Sequence, residues 1–282
     1  MQTGAAVAEL VHRMAAAAAD LDAANAPQRH FCGLYLRSTR SMQAELGTGR
    51  FADADWVGRL TLAFAGSYLD ALERWQSGRS VALTWQLAFE APAESSPLVH
   101  ELIGLNAHLN HDLPQALLEV ETGGELLDEP RSALRRSDFL HIDAVMLRRL
   151  PEEYRHLRTL GGPARAEVLS RLLYPLNTLA SRRWLVAARR SVWWNAAELS
   201  RARAAGPAAL AARLADLDVL CAAKVADLLR PGQVLLRLAV VGFGVTLPPR
   251  PALQARADGP ATGTPAGDVG PSPVTAAATA PL

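Results

Sequence analysis

Apolar residues recur along most of this 282-residue chain at spacings of three and four positions, which is the period of one face of an α-helix. Alanine and leucine, which favour helix, dominate these stretches, whereas alternating β-branched runs are scarce. Glycine and proline separate the periodic stretches. Helices are therefore expected at 3–24, 28–46, 53–77, 80–91, 97–121, 132–158, 163–204 (broken near Pro175), 207–230 and 232–245. The sequence predicts an all-α fold, a single compact domain of about nine helices.

The composition changes near Pro248. From there to Leu282 the chain consists mainly of proline, glycine, alanine, threonine and serine, with almost no large apolar side chain. Such a segment cannot bury enough surface to offset the entropy lost on ordering. We therefore expect a helical domain over 1–247 and a disordered tail over 248–282.

Charge and hydropathy exclude two classes of protein. The 29 lysines and arginines nearly cancel the 28 aspartates and glutamates, giving a net charge of +1, so the basic face of a general nucleic-acid binder is not expected. The apolar run 233–247 is too short for a bilayer and contains Arg237. It is expected to form a buried helix or strand, and no membrane span is predicted.

Two features indicate a cytoplasmic protein. Charged and polar residues interrupt the alanines of residues 1–20, unlike the apolar core of a signal peptide. The two cysteines, Cys32 and Cys221, are far apart in sequence and are expected to be buried free thiols in a reducing compartment.

The segment Gly104–Pro114, with the sequence GLNAHLNHDLP, is the strongest candidate for a functional site. It places two asparagines, two histidines and one aspartate beside leucines at helical spacing. Buried polar groups must be paired, so we expect a buried polar cluster. On a helix, His108 and Asp112 lie four positions apart on one side, whereas His100 and His111 point towards solvent.

Three interpretations of His108 and Asp112 remain open. The two side chains can bind a divalent metal, zinc or iron, or the carboxylate can orient the histidine as a catalytic base. Alternatively, Asp112 caps a helix that starts at Leu113, with Gln115 completing a capping box. On the two functional interpretations, Asn106 and Asn110 orient the substrate. Asn106 is alternatively a structural residue that bonds to the backbone of a neighbouring helix.

Two further side chains stand out against apolar surroundings. Asp143 lies on the face of Phe139 and Met146, where a carboxylate is rare unless it is paired; it is either a third metal ligand or the partner of a buried arginine. Arg37 binds a substrate anion or, as we favour, forms an internal ion pair with Asp143 or Asp70.

The stretch that contains Trp184 and Asn195 also carries Trp193 and Trp194. An aromatic face of this kind usually belongs to the core. It can also line an apolar substrate pocket, and in that case Trp184 and Asn195 contact the substrate.

The Gly104–Pro114 segment resembles the central motif of a bacterial, all-helical family of unknown function that is common in actinobacteria. The stretches Tyr35–Thr39, Gly49–Asp53, Phe64–Tyr68, Trp85–Phe89 and Asp138–Asp143 resemble that family's other spaced motifs. Where the family more often has asparagine, this chain has Asp143. A looser likeness is to zinc-dependent phospholipase C, whose HxxxD pair His108 and Asp112 match, although Leu118 replaces a later histidine.

Two functions compete at this point. The first is a small-molecule enzyme of specialised metabolism, acting on an apolar or lipid-like substrate through His108 and Asp112, with or without a metal. The second is a non-catalytic binding or scaffold protein in which the polar cluster fixes helix register.

Overall fold

Proline and glycine delimit many of the helices in the computed structural model, which describes residues 2–159, 189–232 and 234–249. Pro97 and Pro207 each stand at the first position of a helix, where a missing N–H costs nothing. The helices are α1 (Gln2–Ala23), α2 (Arg29–Leu46), α3 (Ala54–Gln76), α4 (Leu83–Phe89), α5 (Pro97–Asn106), α6 (Leu113–Val120), α7 (Glu129–Thr159), α8 (189–205), α9 (Pro207–Leu229) and α10 (Val234–Val241).

The all-α prediction is confirmed, and no β-strand occurs in the ranges described. Three expected helices differ in detail. The helix expected at 97–121 contains a π-helical turn at Ala107–Asp112 between α5 and α6. The helix expected at 80–91 covers Leu83–Phe89 alone, and the last helix ends at Val241 instead of 245. Residues 163–188 of the expected 163–204 helix, and residues 250–282 of the expected tail, lie outside the described residues.

The helical rod formed by α5, the π turn and α6 lies at the centre of the fold. It contacts α2, α3, α4 and α9. One apolar cluster packs α1 to α5 against α9 and α10. A second joins α3 and α6 to α7 and α8. The rod therefore passes from one core to the other, and residues up to Pro248 form one compact unit.

A carboxylate on α9 fixes the start of α4. Ala82 offers no side-chain cap to this helix. Asp218 instead accepts hydrogen bonds from the backbone N–H groups of Leu83 and Thr84, both at 2.9 Å, and from the Thr84 hydroxyl at 2.7 Å. This contact positions α4, and with it Trp85, against the central rod. None of the described helices combines the length and apolar character needed to cross a bilayer.

Replacing Gly104 with alanine should destabilise the fold. A Cβ atom at this position would overlap the ring and Cβ of Phe31 on α2, so α5 and α2 would have to separate. We expect Gly104→Ala to lower the free energy of unfolding by about 1–3 kcal/mol in urea denaturation.

Gly66 on α3 is the matched control, because a Cβ atom there meets no neighbour. Gly66→Ala should be neutral or stabilising by up to about 1 kcal/mol, because alanine favours helix over glycine. Equal unfolding free energies for the two variants would contradict the close approach of α5 to α2.

Candidate functional site

The π turn determines which side chains of the central segment are buried. Its backbone carries one more residue per turn than an α-helix, so later side chains are rotated by roughly 100° relative to a regular helix. His111, inside the turn, is 9% exposed. His100 lies on α5 before the turn and is 4% exposed for a separate reason, because its ring stacks on His30 of α2 with centroids 5.8 Å apart. The expectation that these two histidines face solvent was therefore wrong.

The carboxylate of Asp112 is the centre of a buried hydrogen-bond network. It accepts from Trp85 Nε1 at 3.1 and 3.0 Å. The Nδ1 atoms of His108 and His111 lie 2.9 and 2.8 Å from its two oxygens. Asp112 makes no side-chain cap to α6, and Gln115 bonds to the His111 carbonyl at 2.9 Å. The capping-box interpretation was therefore wrong, because the helical backbone continues through this point.

Five aromatic rings from other helices surround the imidazole of His108. Phe64 lies parallel to it, with ring centroids 3.6 Å apart, and Tyr35 approaches edge-on at 4.2 Å. The rings of Phe31, Tyr68 and Trp85 follow at 5.9–6.2 Å. His108 therefore lies among aromatic rings, with the carboxylate of Asp112 at one edge.

The surroundings shift the pKa values of the two histidines in this network in opposite directions. Burial lowers the pKa of His108, and the contacts with Asp112 only partly oppose it. Burial acts in the same direction on His111, but the hydrogen bond to Asp112 and the charges of Asp112 and Asp218 together outweigh it, and the pKa of His111 is raised. Burial would raise the pKa of Asp112, but the bonds from the two histidines outweigh that effect and lower it. The directions of these three pKa shifts favour an ionised Asp112, a protonated His111 and a neutral His108.

The neutral ring of His108 has one nitrogen committed and one open. We assign the proton to Nδ1, because that atom faces the ionised Asp112. Nε2 then carries a lone pair, and it makes no hydrogen bond to any residue that the structure describes, although the side chain is 2% exposed. An acceptor atom of this kind is unusual in a protein interior.

The described residues do not form the expected zinc or iron site. No group of three or more histidine, cysteine, aspartate or glutamate side chains in the described ranges is arranged to hold a metal ion. Asp143 instead pairs with Arg189, with Oδ1 and Nε 2.7 Å apart. Both Asp112 oxygens already accept N–H donors. The set His108, Asp112 and Asp143 therefore does not fit a metal centre.

Three asparagines expected to contact substrate bind the chain's own backbone. Asn106 and Asn110 donate to the carbonyl of Phe243 at 3.3 and 3.0 Å, and Asn195 donates to the carbonyl of Val245 at 2.9 Å. The partner of Asn106 is thus an extended segment, whereas a neighbouring helix was expected.

Arg37, another candidate, makes its side-chain bonds outside this network. Arg37 forms an ion pair with Glu153 at 2.5 Å, so the favoured internal ion pair exists but with a different partner. Trp184 lies outside the described residues. A small cavity beside Trp56 and Trp193 is lined by none of the predicted site residues.

Sequence reasoning missed Trp85 and the rings of Tyr35, Phe64 and Tyr68 as members of the site. All four belong to the spaced motifs on which the resemblance rested, so the signal was present in the sequence. The sequence did not show that these four rings lie within about 6 Å of His108 in the fold. Outside this site, sequence reasoning also passed over Glu101, which is buried near the Arg37–Glu153 pair; burial followed by the charge of Glu153 raises its pKa to about 8.

The fold and the network define an all-helical protein with a buried His–Asp–Trp cluster on a π turn. The family model described as "Family of unknown function (DUF5995)" matches residues 7–231, and the chain belongs to this family. No curated protein and no solved structure matches the chain significantly. The expected membership of a family of unknown function is thereby confirmed.

The two histidines should titrate in opposite directions from the ordinary value of 6.5. In ¹⁵N NMR, with assignments from single glutamine variants, His108 should stay neutral below pH 6.5 and His111 should stay protonated above it. Below pH 6.5 the unfolded chain takes up a proton at His108 and the folded chain does not, so this residue contributes a fall in unfolding free energy. His108→Gln should make that fall smaller. An ordinary midpoint for His108 would contradict the proton assignment.

Metal analysis tests the geometry of the network directly. Since the Asp112 oxygens are occupied by N–H donors, we expect protein purified without chelator to hold well under one equivalent of zinc, iron or manganese by mass spectrometry. His108→Gln should leave that content unchanged. A stoichiometric metal that this variant loses would contradict the hydrogen-bond pattern described above.

Proposed function

We propose that this chain is a small-molecule enzyme in which His108, oriented by Asp112, acts as a metal-free general base on an apolar substrate. The observation that carries the proposal is the Nε2 atom of His108, which is buried and has no hydrogen-bond partner among the described residues. A buried acceptor without a partner costs free energy of folding, and a catalytic role is one explanation for retaining such a group.

The hydrogen-bond pattern supports the base role. Asp112 holds the Nδ1 proton, which leaves the Nε2 lone pair as the acceptor. Nε2 would take a proton from an acidic C–H or O–H bond of the substrate, and the electron pair of that bond would stay on the substrate. The imidazolium formed is then stabilised by the negative charge of Asp112. Trp85 and His111 hold the carboxylate in place through both of its oxygens.

The aromatic rings support an apolar substrate and indicate where it enters. Phe64 and Tyr35 cover the His108 ring and are themselves partly exposed, whereas Tyr68 and Trp85 are buried. A rotation of the Phe64 side chain would thus open a path from solvent to His108. Reorientation of one side chain is within the range of motion that exposed residues undergo readily.

The proposal includes a reducing, cytoplasmic setting and a role in specialised metabolism. The buried free thiols Cys32 and Cys221 support the reducing compartment. The competing scaffold function is favoured by one observation, the nearly complete burial of His108 and Asp112 at 1% and 4% exposure. The two functions differ in whether a small molecule can reach Nε2.

A substrate screen tests the function. The wild-type chain, incubated with fractionated bacterial metabolites, should deplete at least one compound by mass spectrometry, and His108→Gln should lower that rate by at least about 100-fold. His12→Gln, at an exposed histidine of α1, is the matched control and should act like wild type. Identical profiles for all three proteins and a protein-free blank would contradict the enzyme and favour the scaffold.

Chemical modification tests access separately from turnover. Diethyl pyrocarbonate acylates unprotonated histidine nitrogen that it can reach. Because His108 is buried, it should react more slowly than the exposed His12 in the folded chain. Phe64→Ala should raise the rate at His108 by at least about tenfold, measured by peptide mass spectrometry. Phe51→Ala is the matched control, because Phe51 packs against His141 at 4.8 Å instead. Equal His108 rates in the two variants would contradict the proposed path.

A further inference from the structure

The segment after α10 is an extended stretch of chain held inside an otherwise helical protein. Gly242, with φ of +77°, turns the chain away from α10, and residues 243–249 are not helical. Phe243, Val245 and Leu247 are buried at 6%, 8% and 0% exposure, whereas Thr246 is exposed. Burial thus alternates with the period of two that is typical of a β-strand.

Two asparagine amides bind the backbone of this segment in the way a neighbouring strand would. Asn110 donates to the Phe243 carbonyl at 3.0 Å and accepts from the Val245 N–H at 3.1 Å. Asn195 repeats the pattern two residues later, donating to the Val245 carbonyl at 2.9 Å and accepting from the Leu247 N–H at 2.8 Å. Because a side-chain amide carries the same donor and acceptor as a peptide group, each asparagine replaces one residue of a β-ladder.

Two further donors continue the series towards the end of the segment. Trp194 Nε1 donates to the Leu247 carbonyl at 3.0 Å, and the Arg213 guanidinium donates to the Pro248 carbonyl. Arg213 is itself 2% exposed and is held by Glu198 at 2.9 Å. These contacts recognise main-chain atoms, so they do not depend on which side chains the segment carries.

The side chains of the segment fill an apolar groove between helices. Val245 and Leu247 pack with Leu118 of α6, Leu199 of α8, and Leu217 and Cys221 of α9. The family match ends at residue 231. The residues that build the groove therefore lie within the matched region, and the segment that occupies it lies beyond.

We propose that this groove is a peptide-binding site for an extended chain with apolar side chains at alternate positions, and that residues 243–248 occupy it as an intramolecular ligand. The partner is a segment of another protein with the pattern apolar–small–apolar–polar–apolar, read through its backbone by Asn110 and Asn195. Release of the internal segment at Gly242 opens the groove. This inference does not depend on the proposed enzymatic function, because it concerns a different face of the central rod.

Peptide binding to the full chain tests the proposal. The variant Leu247→Asp removes an apolar anchor of the internal segment. It should bind a fluorescent peptide with the sequence of residues 243–248 at least tenfold more tightly than wild type, by fluorescence anisotropy. The same peptide N-methylated at its valine and leucine keeps the side chains but loses both N–H donors, and should bind at least tenfold more weakly. Adding Asn110→Ala to the variant should weaken binding by a similar factor.

Hydrogen exchange on the unmodified chain covers the case in which Leu247→Asp does not fold. The amides of Val245 and Leu247 should exchange at least tenfold faster than those in the middle of α3, because the segment opens without global unfolding. Exchange at the global rate would show that the segment is part of the permanent core and would overturn the proposal. A folded Leu247→Asp variant that fails to bind the peptide would overturn it as well.

Discussion

The buried carboxylate of Asp112 determines much of the architecture around it. A buried charge disfavours folding unless it is paired and hydrogen-bonded, and here Trp85, His108 and His111 supply the donors. Trp85 reaches the carboxylate because Asp218 of α9 fixes the start of α4. The same Asp218 lies 3.8 Å from the far nitrogen of His111. Charge compensation at one residue thus couples α4, α9 and the central rod.

The helical period predicted most of the fold because burial of apolar faces dominates helix formation here. It also predicted that His108 and Asp112 meet, since residues four apart share a helix face. It could not predict the π turn, because the register of backbone bonds follows from tertiary contacts that the periodicity does not contain. The failure at His111 has this origin. Trp85 lies 27 positions from Asp112, too far for a helical pattern to pair them. For Asp143 the alternative of a buried arginine partner is confirmed, but the pattern could not identify Arg189, which lies on a different helix.

The same limit explains the asparagines. Short amides beside leucines correctly indicated buried polar groups, but burial alone does not say what an amide binds. The partners of Asn110 and Asn195 are backbone atoms of residues 243–247, which periodicity assigned to a helix ending at 245. Gly242 and Gly244 interrupt that run, and the alternation of Phe243, Val245 and Leu247 was the available signal for a strand.

An extended segment inside an all-helical protein poses a hydrogen-bonding problem, because buried backbone groups need partners and no strand lies beside it within the described residues. Side-chain amides solve it at the two positions where the segment faces the helices. Because the amides bind backbone atoms, they leave the side-chain sequence of the segment free, and the same is true of the backbone bonds between paired β-strands. A groove built in this way selects a backbone shape and an apolar alternation. Selectivity for one sequence would therefore have to come from the apolar side chains of α6, α8 and α9 that pack against Val245 and Leu247.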